Sequence, residues 1–305
     1  MAEEAAVLAA IGVPAGTPVT WEALGDSPWS PVLVRIQGES AIEAIVREPA
    51  DPEGAQNHAA VFEALARAGY PCMPRLLGFA GRATIEEVLP GATAMRLVPP
   101  PGSAEAAMEA LAALHALPVR EGLDWGARPA DLFPEPEPPL HRLGFAAAER
   151  EPAREPLMAA HAELLQSPFG FAHREATAAN VVLAPGKAWL IDFSNAGYGP
   201  QYFDVAAFLL TAGIEAAGRR ALAAAYARHR GTAPDETADA VDLLGVLWAI
   251  SWQLELPRKL ITSLGDDVAT ESLKLAASRI DRAVRQPAGD SRIAAAIRAA
   301  LWPRR

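Results

Sequence analysis

The sequence has one cysteine, Cys72, in 305 residues. An intrachain disulfide and a cysteine-rich metal site are therefore excluded, and the expected compartment is the reducing cytoplasm. Lysine is scarce too, occurring only at Lys187, Lys259 and Lys274, so the basic charge is nearly all arginine. Acidic residues outnumber basic ones by 37 to 27, for a formal net charge of −10. A chain without a basic excess has little means of displacing counterions from a phosphate backbone, so no nucleic acid is expected as partner. No uninterrupted apolar run reaches the ~18 residues of a membrane span. The opening Met1-Ala2-Glu3-Glu4 is acidic where a secretory signal is basic, and no membrane partner is expected. A repeat of about 20 to 50 residues is also lacking, which sets solenoids and propellers aside.

What is present is an ordinary globular composition, 51% hydrophobic and 21% charged, long enough for two lobes at about 150 residues each. Strand-like segments come first. Pro31 to Ile36 and Ala41 to Arg47 read as a hairpin around Gln37-Gly38-Glu39-Ser40, and a second pair flanks Gly81, from Leu76 to Phe79 and from Thr84 to Leu89. Between them, Gln56 to Ala68 has helical spacing and stops at Gly69. After Pro90-Gly91 the chain turns helical. Ala104 to Leu117 is an alanine and leucine helix closed by Pro118, and Phe133 to Pro139 is too proline-rich for helix. One small hairpin interrupts the helices, with Asn180 to Leu183 and Ala188 to Ile191 joined by Ala184-Pro185-Gly186-Lys187.

That hairpin carries the most informative residues. Before it stands His173-Arg174-Glu175-Ala176-Thr177-Ala178-Ala179-Asn180, and after it Ile191-Asp192-Phe193-Ser194, with Asp192 twelve residues beyond Asn180. Antiparallel pairing brings Asn180 and Asp192 to one edge, where an amide and a carboxylate can share a cation. Phosphoryl transfer needs such a pair, plus a carboxylate near the attacking hydroxyl, on a loop spaced His-Arg-Asp-x-x-x-x-Asn.

In this respect the chain resembles the aminoglycoside phosphotransferase and choline kinase-like superfamily, whose fold is similar to that of protein kinases. The usual loop there reads His-Gly-Asp-Leu-His-x-Gly-Asn, followed by a hairpin, Ile-Asp-Trp or Ile-Asp-Phe, and Gly-Asp-Pro-x-x-Asp-Leu-Ala. The last segment is matched by Gly197-Tyr198-Gly199-Pro200-Gln201-Tyr202-Phe203-Asp204-Val205-Ala206. Leu114-His115-Ala116-Leu117-Pro118 resembles a family stretch at the end of a helix, Glu87-Val88-Leu89-Pro90-Gly91 resembles the hinge, and Pro71 to Leu77 resembles the entry to the strand before it. The likeness runs in order from residue 30 to residue 212.

It implies a bilobal, protein kinase-like α+β fold, with a β-rich nucleotide-binding lobe over residues 1–89 and a helical lobe over 90–305 holding the catalytic loop and acceptor site. It also implies transfer of a phosphate from ATP or GTP, with magnesium, to a hydroxyl of a small molecule. Asn180 and Asp192 match the magnesium ligands and Glu175 the catalytic carboxylate. His173 and Asp204 match residues that brace the loop, Arg47 falls where a cation touches the phosphates, and the backbone of Glu87, Val88 and Leu89 would hold the base. His115 is read as a cap or packing residue. On the carboxy-terminal side, Trp248, Trp252 and Glu255 share a helical face, an aromatic and acidic wall for a cationic or sugar-like acceptor.

The departures from the pattern are specific. Glu175 stands for aspartate, Arg174 for glycine, and Thr177-Ala178-Ala179 for histidine, proline and glycine. The helical position expected to offer a glutamate to the phosphate-binding cation is His58, with Glu63 as the competing register. Glutamate differs from aspartate by only about 0.4 units in intrinsic pKa, but its extra methylene moves the carboxylate by roughly 1 Å, a displacement that can cost about a hundredfold in rate. Two alternatives therefore stand beside the enzyme: a catalytically weakened nucleotide-binding or regulatory pseudokinase, and a repurposed enzyme of the same fold.

Overall fold

The structure, a computed structural model, describes residues 4–25, 30–37, 42–48, 52–93, 102–117, 147–164, 168–247, 281 and 285–301. Its first part is a five-stranded antiparallel sheet in the order β1-β2-β3-β5-β4, built from β1 (Val19–Ala23), β2 (Val32–Ile36), β3 (Ile42–Arg47), β4 (Leu76–Ala80) and β5 (Ala83–Glu87). Period-two alternation sorts its side chains. Val34, Ile36, Ala44, Val46, Ala83 and Ile85 point to one face and form a buried cluster with Val7 and Leu8 of α1 (Glu4–Ala10). Ile45, Arg47, Thr84 and Glu86 occupy the alternate positions, facing the rest of the molecule.

Helix α2 (Pro52–Arg67) lies on that second side. Its apolar residues Val61, Phe62 and Leu65 join the core of the helical part, among Met108, Leu111, Val181, Leu190 and Phe193, and not the cluster under α1. The helix thus belongs to the sheet by sequence and to the helical part by packing. Truncating a fully buried phenylalanine costs about 3 to 5 kcal/mol, so loss of Phe62 or Phe193 would loosen that junction. A second tie is β6 (Ala92–Thr93), which pairs with β8 (Val181–Ala184) across the end of the hinge segment. Gly91 makes this crossing possible. At φ 143 it takes a backbone conformation open to glycine, and a Cβ there would collide with the Leu183 carbonyl.

The helical part comprises α3 (Ser103–His115), α4 (Ala147–Leu164), α5 (Gln201–Thr211), α6 (Ala216–Arg230), α7 (residues 234–247) and α8 (Arg292–Leu301). α3 packs on α6 and on β9 (Lys187–Leu190). A third cluster joins α4, α7 and α8 through Leu157, Leu243, Val246 and Ile297, reinforced by Arg298, which donates to both oxygens of Asp242 at 2.8 Å. Among the described residues no helix is long and apolar enough to cross a membrane.

The strand pairs, the small hairpin and the helices expected at 56–68 and 104–117 are present, with shifted ends: α2 begins at Pro52 and β5 stops at Glu87. Additional strands not read from the sequence are β1, β6 and the pair β7 (Phe169–Ala172) and β10 (Gly197–Pro200). The connector 133–139 lies outside the described residues.

Candidate active site

The β8 and β9 hairpin sets the register of the site. Val181 pairs with Leu190, and one step further the Ile191 N–H donates to the Asn180 carbonyl at 3.0 Å. Asp192 follows directly, in left-handed backbone at φ 64. For a residue with a Cβ that conformation is uncommon, though aspartate tolerates it better than most. The loop between β7 and β8 closes on itself: the Thr177 N–H and the Asn180 side-chain amide both donate to the Glu175 carbonyl, at 2.7 and 3.0 Å. Residues Ala178–Asn180 form a 3-10 turn, and the Ala178 N–H donates to the Thr211 hydroxyl at 2.7 Å. Backbone and a threonine of α5 thus shape the segment where Thr177-Ala178-Ala179 departs from the family pattern.

Asp204, fully buried in the first turn of α5, braces the same loop. Its carboxylate accepts the His173 N–H at 2.6 Å and the Arg174 N–H at 2.8 Å. Arg174 has φ 63, which accounts for glycine being the usual residue there; the two bonds from Asp204 offset part of the strain. The Asp204 oxygen that accepts the His173 N–H also meets His115 Nε2 at 3.0 Å, and His115 Nδ1 lies 2.8 Å from the Tyr226 hydroxyl. Burial pushes the Tyr226 phenol well up, so its hydroxyl stays protonated and donates to Nδ1, leaving Nε2–H for Asp204. Burial also pushes the His115 imidazole below its ordinary value, outweighing the opposing pull of Asp204. His115 is therefore a linking member of a buried network, more than the cap or packing residue read from sequence.

His173 is likewise fully buried. Its Nε2 lies 3.0 Å from the Ile191 carbonyl and its ring stands 4.8 Å from that of Phe193, so it joins the loop to the segment bearing Asp192.

The half-buried Glu175 accepts a 2.5 Å bond from the side-chain amide of Asn195. Asn195 lies close in sequence to Asp192, yet no spacing rule flagged it. The Asp192 carboxylate accepts the Ser194 hydroxyl at 2.7 Å and faces Arg47 across 3.6 Å. Burial pushes the Asp192 carboxyl up, but Arg47, Ser194, His58 and His173 together outweigh it and hold it below its ordinary value. It is an ionised carboxylate in a sheltered position.

Arg47, at the end of β3, is 8% exposed, so its charge is turned toward Glu86 and Asp192 and not to bulk water. Its Nε is 3.4 Å from Glu86 of β5, and the same Glu86 oxygen is 3.4 Å from His58 of α2. This settles the register of α2: His58 faces the cation, while Glu63 is exposed. Glu86 was not singled out by sequence reading, because only the pairing of Ile45 with Glu86 and Arg47 with Thr84 places it diagonally from Arg47 on one face. Glu87, Val88 and Leu89 follow. The Glu87 N–H donates to the Arg75 carbonyl at 3.0 Å, its carboxylate accepts the Arg75 N–H at 2.9 Å, and Val88 and Leu89 lead out of the strand. Trp248, Trp252 and Glu255 lie outside the described residues.

The donor set suits magnesium. Asp192 supplies an ionised oxygen, and Asn180, whose amide nitrogen is committed to Glu175, retains its amide oxygen for a ligand. Among the described residues no cluster of three or more His, Cys, Asp and Glu could cage a metal alone. A hard, small cation held by one carboxylate and one amide completes its shell from phosphate oxygens and water, which is the way magnesium binds in phosphoryl-transfer sites.

Comparison with known proteins bears on the family and the fold. A family model described as the phosphotransferase enzyme family matches residues 2–244. No curated protein matches the sequence. Among solved structures, the chain is similar to a choline/ethanolamine kinase family protein from Mesorhizobium loti, at 19% identity and a TM-score of 0.68, covering 98% of each chain. It is also similar to an ethanolamine kinase of Plasmodium vivax, at 12% identity and a TM-score of 0.61, over 87% of this chain and 81% of that one. A third is an aminoglycoside phosphotransferase from Alicyclobacillus acidocaldarius subsp. acidocaldarius, at 14% identity and a TM-score of 0.60, over 96% of this chain and 95% of that one. At these identities the likeness shows the fold, a kinase-like α+β architecture.

Proposed function

The chain belongs to the phosphotransferase enzyme family, and from that premise we propose that it transfers the γ-phosphate of ATP or GTP to a hydroxyl of a small molecule. Residues 1–89 form the lobe that anchors the nucleotide, and residues 90–305 the lobe that holds the catalytic loop and receives the acceptor. The observation that carries this reading is Asp192. It is an ionised carboxylate in left-handed backbone, one residue past the pairing of Ile191 with Asn180 and across from Arg47.

Each residue then has a task. The backbone of Glu87 to Leu89 holds the base, and Arg47 offers its guanidinium to the phosphates. Asn180 and Asp192 hold magnesium, which when bound neutralises phosphate charge. Glu175 takes the proton from the acceptor hydroxyl as that oxygen forms its bond to the γ-phosphorus. The bond from phosphorus to the bridging oxygen breaks, and the nucleoside diphosphate departs with the electron pair. His173 and Asp204 keep the loop in place and touch no reacting atom. The acceptor class that best fits the sequence spacing of Trp248, Trp252 and Glu255, and the choline, ethanolamine and aminoglycoside activities named for similar folds, is a cationic or sugar-like alcohol. The setting is cytoplasmic, with neither nucleic acid nor membrane as partner.

Glu175→Gln tests this reading. A general base contributes about 10²- to 10⁴-fold, so turnover with an accepted alcohol should fall by at least about a hundredfold while nucleotide affinity stays within a few fold. Equal turnover in wild type and variant would remove Glu175 from the reaction and leave the nucleotide-binding, non-catalytic alternative.

A further inference from the structure

We propose that Glu86 is the positioning residue for Arg47, supplying from the sheet the carboxylate that α2, carrying His58 at the facing position, does not supply. The proposal deepens the reading of the cleft as a nucleotide site and rests on it.

Three observations support it. Glu86 is 1% exposed, and a carboxylate so buried is strongly disfavoured unless cations and donors surround it. Arg47, His58 and the Thr84 hydroxyl, which donates at 2.7 Å, all converge on its Oε1. Second, the contacts of Arg47 are made by charge and not by closed hydrogen bonds. Its Nε stands 3.4 Å from Glu86 without a hydrogen-bond partner, and its Nη1 is 3.6 Å from Asp192. A bidentate fork at normal bonding distance would occupy the donors that an anion needs. Here the guanidinium is steered through its buried Nε, while its Nη donors are left for phosphate oxygens. Third, α2 cannot easily withdraw. The Asn57 side-chain amide donates to the Ser194 and Ala196 carbonyls at 2.8 and 3.0 Å, pinning the helix to the segment after Asp192. His58 is thereby held on Glu86 from the opposite side, its ring 4.8 Å from Phe62. Glu86 joins the sheet, the helix and the phosphate-facing cation at one point.

A purely structural ion pair would have the same burial, but its loss would weaken triphosphate and nucleoside binding alike or leave both unchanged, and a carboxylate placed on another element would restore no triphosphate-specific affinity. The test therefore relocates it. Binding of ATP and of adenosine, with GTP and guanosine in parallel, is measured in magnesium for wild type, Glu86→Gln, and the double variant Glu86→Gln with His58→Glu. The single variant should bind the triphosphate at least tenfold more weakly and the nucleoside within twofold of wild type, because only the phosphates meet Arg47. The double variant returns a carboxylate to Arg47 from α2 and should recover triphosphate affinity to within about threefold. Should Glu86→Gln fail to fold, Glu86→Asp, which keeps the charge but shortens its reach, should show the same selective loss for the triphosphate. Triphosphate affinity unchanged in the single variant, or no recovery in the double variant, would overturn the proposal. Wild type that binds neither triphosphate would instead overturn the nucleotide reading, and this proposal with it.

Discussion

The loop from His173 to Asn180 and the face around Arg47 are built on different principles. Around the loop, Asp204, His115, Tyr226, Thr211 and Asn180 make hydrogen bonds of 2.6 to 3.0 Å from buried or half-buried positions. At the other face, Arg47 stands 3.4 Å from Glu86 and 3.6 Å from Asp192. The loop is therefore held in a single shape, including the left-handed Arg174, while the cation is aimed but left adjustable. The two regions therefore differ in what each depends on. In the loop, backbone and α5 fix a segment in which Ala178 is fully buried and Thr177 nearly so. At the cation face the group that matters is a carboxylate within reach of Arg47, and the element that carries it can vary.

The strongest way to break this contrast is to remove the brace of the loop. Asp204→Asn replaces a carboxylate that accepts from His173, Arg174 and His115 with an amide that offers fewer acceptors. Each buried donor left unpaired costs about 1 to 3 kcal/mol, so the melting temperature should fall by several degrees and turnover should collapse. If stability and turnover both survive, the loop is not held as described.

A smaller effect is expected from Asn195→Ala, which removes the bond from the Asn195 amide to the Glu175 carboxylate without touching the loop backbone. Turnover should drop by about tenfold, in keeping with the sensitivity of such steps to positioning, while nucleotide affinity and melting temperature hold. A matching loss of nucleotide affinity would show that Asn195 acts on the cation face instead.

The smallest effect concerns pH. The folded pKa of His115 lies below its ordinary value of 6.5, with burial as the main cause. Its neutral form therefore contributes stability that is fully present above about pH 6.5 and is lost as pH falls through the folded pKa. Melting temperature should decline with acidification below that point, and His115→Asn should flatten this component. An identical decline in the variant would assign the effect elsewhere.

These contrasts also explain what was legible in the sequence. The β2 and β3 hairpin, α2, α3 and the β8 and β9 hairpin follow from periodicities that their burial enforces, and the kinase-like fold follows from motifs in order along the chain. β1 was not legible because its burial pattern is mostly exposed, and β7 and β10 were not because they are short and glycine-containing. At the site, His173, Glu175, Asn180 and Asp192 are visible because a loop and a hairpin fix their spacing. Glu86 and Asn195 are invisible for the complementary reason. Their roles arise from sheet register and from the turn after a left-handed residue, neither of which leaves a spacing in the chain.

The most direct test of the account is a nucleotide titration with and without magnesium on wild type and Asp192→Asn, a substitution that keeps a residue tolerant of φ 64. The account predicts that wild type binds ATP or GTP at least tenfold more tightly with magnesium than with chelator. It predicts that Asp192→Asn loses this difference while its ligand-free melting temperature stays within a few degrees. A magnesium dependence that is the same in both proteins would contradict it.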